Sequence, residues 1–107
     1  MSGARGTVSN LSIHQAATGA NPSVLVIEPN KSFQAVVTTS SGNAAATILI
    51  EGSIDNVNFD TVATLTLGSG ASPVHAIACG NYPYPYIRSN VTAISGTNAK
   101  VNAYCAV

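Results

Sequence analysis

The chain has 107 residues, enough for one hydrophobic core but not for two. Only 7% of the residues are charged, against roughly 25% in an average soluble domain, and the formal net charge is zero. Without a basic field, the composition excludes nucleic acid and an anionic membrane surface as partners. Because so uncharged a surface gains little solubility from charge repulsion, we expect neighbouring subunits to cover much of it.

Alternating apolar and polar residues indicate strands along the chain, and no helical apolar stripe extends beyond two turns. Gly, Pro, Asn, Asp and Ser separate these segments roughly every eight to twelve residues. The predicted strands are residues 7–14, 23–28, 32–39, 48–53, 59–67, 73–79, 86–94 and 99–107. The pattern predicts an all-β fold: an antiparallel β-sandwich, jelly-roll-like, with about eight short strands.

A hairpin at residues 44–67 lies at the centre of this pattern. Its strands flank the polar turn 54–58, whose Asn and Asp residues support turns through their side chains. The other predicted loops and turns are residues 16–22, 40–43, 68–72 and 95–98. Because the strand at 73–79 opens with a proline, we expect it near a sheet edge.

One domain accounts for residues 7–107, since no repeat or linker divides them. Residues 1–6 are small, polar and glycine-rich, and they predict a flexible N-terminal arm that carries Arg5. Such an arm either frays or becomes ordered against a partner, so Arg5 is a candidate interface residue. The start of the chain lacks the apolar core of a secretory signal, and no apolar run approaches the roughly 18 residues that cross a bilayer. We therefore expect a cytoplasmic origin and no membrane partner.

Two cysteines, Cys79 and Cys105, fall late in separate predicted strands. The expected compartment favours free buried thiols, while the spacing leaves a disulfide geometrically conceivable. Two cysteines without a nearby histidine make a poor metal site.

His14 and His75, with abundant serines and with Asp55 or Asp60, supply the residue types of a hydrolytic site. The chain has no Gly-x-Ser-x-Gly motif, however, and Ser and Asp are common in turns. The sequence therefore predicts a protein that is not an enzyme and needs no cofactor.

Four oxygen donors, Asp55, Asn56, Asn58 and Asp60, crowd the hairpin turn. Calcium prefers such ligands, but their spacing departs from the EF-hand pattern. Turn chemistry is the simpler interpretation, because Asx side chains bond to their own backbone.

Tyr82, Tyr84 and Tyr86 form the aromatic cluster of the chain. In an extended segment they project to one side, as a ridge that can contact another subunit or stack on a sugar. Alternatively, Tyr86 belongs to the core and the other two cover an end of the sandwich. Tyr82 and Tyr84 are candidate interface residues.

Arg88 lies in a strand among apolar neighbours. A half-buried charge needs a partner, so we predict a structural ion pair between Arg88 and a carboxylate of the hairpin, Glu51 or Asp60.

Two motifs in the C-terminal 60 or so residues carry a resemblance. The first is an apolar strand leading into Gly52-Ser53, an Asp-containing turn, Phe59 and a second strand. The second is Tyr86-Ile87-Arg88, then Asn90-Val91-Thr92 and a turn led by Gly96 into the last strand. Together they resemble small structural proteins of tailed bacteriophages.

The resemblance implies a non-enzymatic virion component, and specifically a head decoration (cement) protein that binds across capsid subunit junctions. The implied partners are the major capsid protein and further copies of the chain, as a homotrimer. The implied location is the capsid surface, after synthesis in the host cytoplasm. The first 45 or so residues match no such motif, which leaves a position at the neck, tail or fibre base open.

A small glycan-binding or tail-associated β-sandwich module is the alternative, because the turn at residues 52–55 and the Tyr-Ile-Arg strand also resemble carbohydrate-binding folds. The chain contains no tryptophan, a residue that sugar sites often use.

Overall fold

The computed structural model describes residues 7–107, which form strands and loops without a helix. The predicted arm at residues 1–6, with Arg5, lies outside the described residues. The nine strands are β1 (Val8–Gln15), β2 (Gly19–Ala20), β3 (Val24–Leu25), β4 (Asn30–Thr38), β5 (Ser41–Ser53), β6 (Asp60–Ala71), β7 (Val74–Asn81), β8 (Tyr86–Thr97) and β9 (Lys100–Ala106). The predicted all-β fold is confirmed, and among the described residues no helix could span a membrane.

Two antiparallel sheets make up the fold. Sheet A has the order β1-β9-β4-β7, and sheet B has the order β2-β8-β5-β6, with β3 also paired to β8. If β2 and β3 are counted as one interrupted strand, each sheet has four strands, an arrangement consistent with the jelly-roll-like prediction. As predicted, β7 lies at a sheet edge.

The core lies between the sheets, where strict alternation turns every second side chain inward. On sheet A, Phe33, Ala35 and Val37 of β4 are fully buried beside inward residues of β9. On sheet B, Ile48 and Ile50 of β5 are fully buried in the same way. The core cluster also includes Leu11, Val26, Ala44, Ala46, Leu65, Leu67, Ile87, Val91, Ala99, Val101, Ala103 and Cys105.

The prediction of a continuous buried strand at residues 23–28 was wrong. Only Val24 and Leu25 pair with β8, and the next amide, that of Val26, donates to the carbonyl of Pro85 at 2.7 Å. Val26 is buried, but Leu25 is 61% and Ile27 75% exposed. Alternation along an extended segment turns every second residue outward, even in an apolar run.

Smaller predictions also need correction, because residues 19–20, 41–43 and 95–97, expected in loops or turns, belong to β2, β5 and β8. Residues 68–71 are not a loop but the end of β6, because β5 extends far enough to pair Asn43 with Ala71. Both cysteines are free, yet only Cys105 is buried. Cys79 pairs with Ser32 and therefore lies on the outer face of sheet A, exposed to solvent.

Candidate functional site

Three loops meet at one end of the sandwich, and we call residues 23–29, 53–59 and 82–86 the loop end. In register, Tyr86 lies between Leu25 on one side and Ser53 on the other. The Ser23 hydroxyl donates to the Asn56 side-chain oxygen at 2.5 Å, which joins the first two loops. Thr7, the first described residue, lies at this end too, since its carbonyl accepts from the amide of Val107.

Asp55 fixes the shape of the hairpin loop. Its Oδ1 accepts from the amides of Val57 (2.9 Å) and Asn58 (2.8 Å), and its Oδ2 accepts from the Asn58 side chain (2.7 Å). These bonds and one from Ser53 hold the pKa of Asp55 well below its usual value. The loop also uses a left-handed backbone at Asn56, with φ of 61°, a conformation that asparagine tolerates. The Asp55 oxygens thus serve the turn, as turn chemistry predicts.

Tyr82 and Tyr84 cover this end of the core. The Tyr82 ring meets the Phe33 ring edge to face, with centroids 5.0 Å apart, and its amide donates to the Pro29 carbonyl at 2.7 Å. Tyr84 packs on the backbone of Gly52, and both tyrosines remain half-buried. Tyr86 is half-buried as well, and not a core residue. The use of Tyr82 and Tyr84 as interface residues stays a prediction.

Replacing Gly52 by alanine should lower the free energy of unfolding by about 1–3 kcal/mol, the usual range for overpacking. A Cβ at Gly52 would lie 2.8 Å from Tyr84 Cγ and 2.9 Å from Tyr84 Cβ, so the ring would have to move. Urea denaturation measures the loss. Gly68→Ala is the matched control, because a Cβ there has no atom within 4 Å; equal losses in both variants would contradict the packing of Tyr84.

Arg88 lies on the outer face of sheet B with Glu51 as its partner. Arg88 Nε donates to Glu51 Oε1 at 2.7 Å, and the Asn90 amide donates to Glu51 Oε2 at 3.1 Å. The guanidinium also stacks on the Phe59 ring, 3.9 Å from its centroid. Asp60, the other predicted partner, is exposed and stands opposite Gly52 in the register. The pair fastens the base of the hairpin loop to β8.

Lys31 is a buried residue that the sequence did not single out. It is 2% exposed, and its ammonium donates to the backbone carbonyls of Glu28 and Tyr82, which ties two loops together. Burial lowers the pKa of this ammonium from its usual value. Burial also raises the pKa of the nearby Cys105 thiol to about 11. At neutral pH Cys105 is therefore a protonated thiol, the poorly nucleophilic form.

Exposed aliphatic side chains are concentrated at the loop end. Leu25 (61% exposed), Ile27 (75%), Ile54 (74%) and Val57 (76%) are four of the seven large hydrophobic residues that are exposed among the described residues. Several large apolar side chains exposed at one end of a fold favour an interaction site there. Sequence reasoning assigned two of these residues to a buried strand and two to a turn. Pro22 and Pro29 flank residues 23–28, and these two prolines are the sequence feature that argues against a long, fully paired strand there.

The two histidines considered for catalysis are not brought together. His14 and His75 lie on β1 and β7, the opposite edges of sheet A, and both are exposed. Within residues 7–107, no group of three or more His, Cys, Asp or Glu side chains could hold a metal ion.

Comparison with known proteins gives one fold similarity. No protein-family model matches the chain, and no curated protein matches it significantly. Among solved structures, the chain is similar to the crystal structure of the PBSX exported protein XepA, with a TM-score of 0.58 and 15% sequence identity. The similarity covers 100% of this chain and 38% of XepA, so the chain spans well under half of that protein's length. At 15% sequence identity, the similarity to XepA supports the fold alone.

Proposed function

We propose that this chain is a non-enzymatic structural protein of a phage virion, and in particular a capsid decoration protein. The observation that carries the proposal is the set of four exposed aliphatic residues on the loop end. They stand on loops that Asp55 and Lys31 hold in one shape by hydrogen bonds. Docking a rigid apolar surface loses less conformational entropy than docking a mobile one.

Two further observations support a phage origin. The motifs at residues 50–59 and 86–101 resemble those of small phage structural proteins. The structural neighbour XepA is a phage-derived exported protein. The low charge of the chain adds to this, because uncharged polar surface loses less on desolvation against a neighbour than charged surface does.

The proposed mechanism is mechanical. The loop end contacts the major capsid protein across a junction between subunits, at the capsid surface, and copies of the chain associate as a homo-oligomer, a trimer by the phage resemblance. Because such a protein binds only the assembled shell, it stabilises that shell by mass action and raises the barrier to opening.

The direct test is binding of the purified protein to capsids prepared without it, followed by heating. We expect saturable binding at a fixed ratio to capsid subunits and genome release at a higher temperature when the protein is bound. Absence of binding to heads would contradict the decoration role, and the same assay should then use tails.

A glycan-binding module is the second candidate, favoured by one cleft. This cleft, of about 310 Å³, lies between Tyr84 and the hairpin loop and is lined by Asp55, Asn58 and Asp60 among others. An aromatic face beside amide and carboxylate oxygens suits a sugar. A ligand-dependent rise in the melting temperature of the isolated protein would favour this candidate over capsid decoration.

A further inference from the structure

The two sheets leave unpaired strand edges, and most of them carry features that hinder pairing with another chain. Among the described residues, the edge strands are β1 and β7 in sheet A, and β2, β3 and β6 in sheet B. β2 and β3 have two residues each. The registers of β1 on β9 and of β6 on β5 each shift twice, as at β-bulges. Short strands and bulges are common protections of a sheet edge.

β7 has none of these protections. It pairs with β4 without a register shift over eight residues, from Val37 opposite Val74 to Asn30 opposite Asn81. It contains no Lys, Arg, Asp or Glu, and its nearest proline, Pro73, precedes the strand. Its outward side chains include Ile77, which is 63% exposed. A regular, uncharged edge with an exposed aliphatic residue is a template for strand addition.

We propose that β7 pairs antiparallel with β7 of a second copy about a two-fold axis, which joins the two A sheets into one sheet of eight strands. The free backbone amides and carbonyls of β7 then bond to those of its copy, and Ile77 is covered at the junction. No unpaired backbone edge remains on this side of sheet A.

The absence of charge on β7 favours a second copy as the occupant. In a two-fold antiparallel pair, a residue near the axis faces its own copy, so a charged residue there would face a like charge. β7 avoids this repulsion over its whole length. The surrounding surface is equally neutral, because Lys100 is the one charged residue at the outward positions of β4, β7 and β9.

The outer face of sheet A next to β7 is also partly apolar. Ile77 borders a shallow groove of about 380 Å³ whose other lining residues include Val8, Tyr104 and Ala106. A two-fold pair sets two such grooves side by side on one continuous sheet face. This surface lies on a sheet face and a strand edge, apart from the loop end, so the inference does not depend on capsid binding.

The test is the mass of the purified protein in solution, measured by light scattering after size exclusion in reducing buffer, so that no disulfide of Cys79 contributes. For the unmodified chain we expect an even number of copies: a dimer, or a hexamer of two trimers if the trimer implied by the phage resemblance forms as well. Ile77→Lys should halve that mass, because each copy would place an ammonium beside its symmetry mate. Thr66→Lys is the matched control: it puts the same charge at an exposed position of β6, the other long edge, and should leave the mass unchanged.

Hydrogen exchange provides a second measurement that needs no variant. In the paired state, amides along both edges of β7 exchange slowly, whereas an unpaired β7 protects only the amides that face β4. A monomer or a trimer of the unmodified chain would overturn the inference. A dimer that survives Ile77→Lys and leaves the free edge of β7 unprotected would overturn it too. A trimer that still binds capsids would overturn the two-fold pairing alone and leave the proposed function standing.

Discussion

A Gly96→Ala variant is expected to lose about 3 kcal/mol or more of unfolding free energy, the largest effect that we predict for a single methyl group. Gly96 lies near the end of β8, just before the turn into β9, and has φ of +126°, a backbone conformation that residues with side chains rarely adopt. An added Cβ would also clash with the Thr39 methyl group and lie 2.9 Å from the Asn43 carbonyl oxygen. Strain and overpacking each contribute about 1–3 kcal/mol.

Urea denaturation monitored by circular dichroism measures this loss, and Gly19→Ala separates its two causes. Gly19 has φ of +144°, but a Cβ there has no atom within 4 Å, so only backbone strain applies. We therefore expect the Gly19 variant to be clearly more stable than the Gly96 variant. Equal losses would mean that the close approach of Thr39 and Asn43 contributes nothing.

The second large effect concerns binding. Changing Ile54 and Val57 together to aspartate should weaken capsid binding by at least about 100-fold, the scale of an interface hot spot. Both side chains project into solvent, 74% and 76% exposed, so the fold should keep its stability. The variant replaces an apolar contact with two buried charges, which are unfavourable unless the partner pairs them.

Binding is measured by co-sedimentation with capsids over a range of protein concentrations. Ile13→Asp is the control, because Ile13 is 66% exposed on β1 and lies toward the opposite end of the sandwich. Unchanged affinity in the double variant, or an equal loss in the control, would show that the loop end is not the contact surface.

Sequence reasoning predicts the regular parts of this fold well. Phe33, Ala35 and Val37 share one face of β4, opposite Gln34, Val36 and Thr38, and that period of two places all three in the core. The hairpin turn is predictable for a similar reason: Asp55 is followed by residues whose amides its carboxylate can reach locally. In both cases the decisive interactions lie close together along the chain.

The candidate site is less predictable, because it depends on contacts between distant segments. Leu25 and Ile27 lie in an apolar run that resembles a buried strand, and only the pairing of residues 24–25 with β8 shows that they face solvent. The burial of Lys31 likewise depends on a carbonyl of Tyr82, 51 residues away. Neither a hydrophobic pattern nor a local motif encodes such contacts.

The measurement that tests the central claim most directly is hydrogen exchange of the protein bound to capsids, compared with the free protein. We predict slower exchange confined to residues 23–29, 53–59 and 82–86, the loop end, with the remaining surface unchanged. Protection elsewhere with an unprotected loop end, or no protection at all on capsids, would contradict the account.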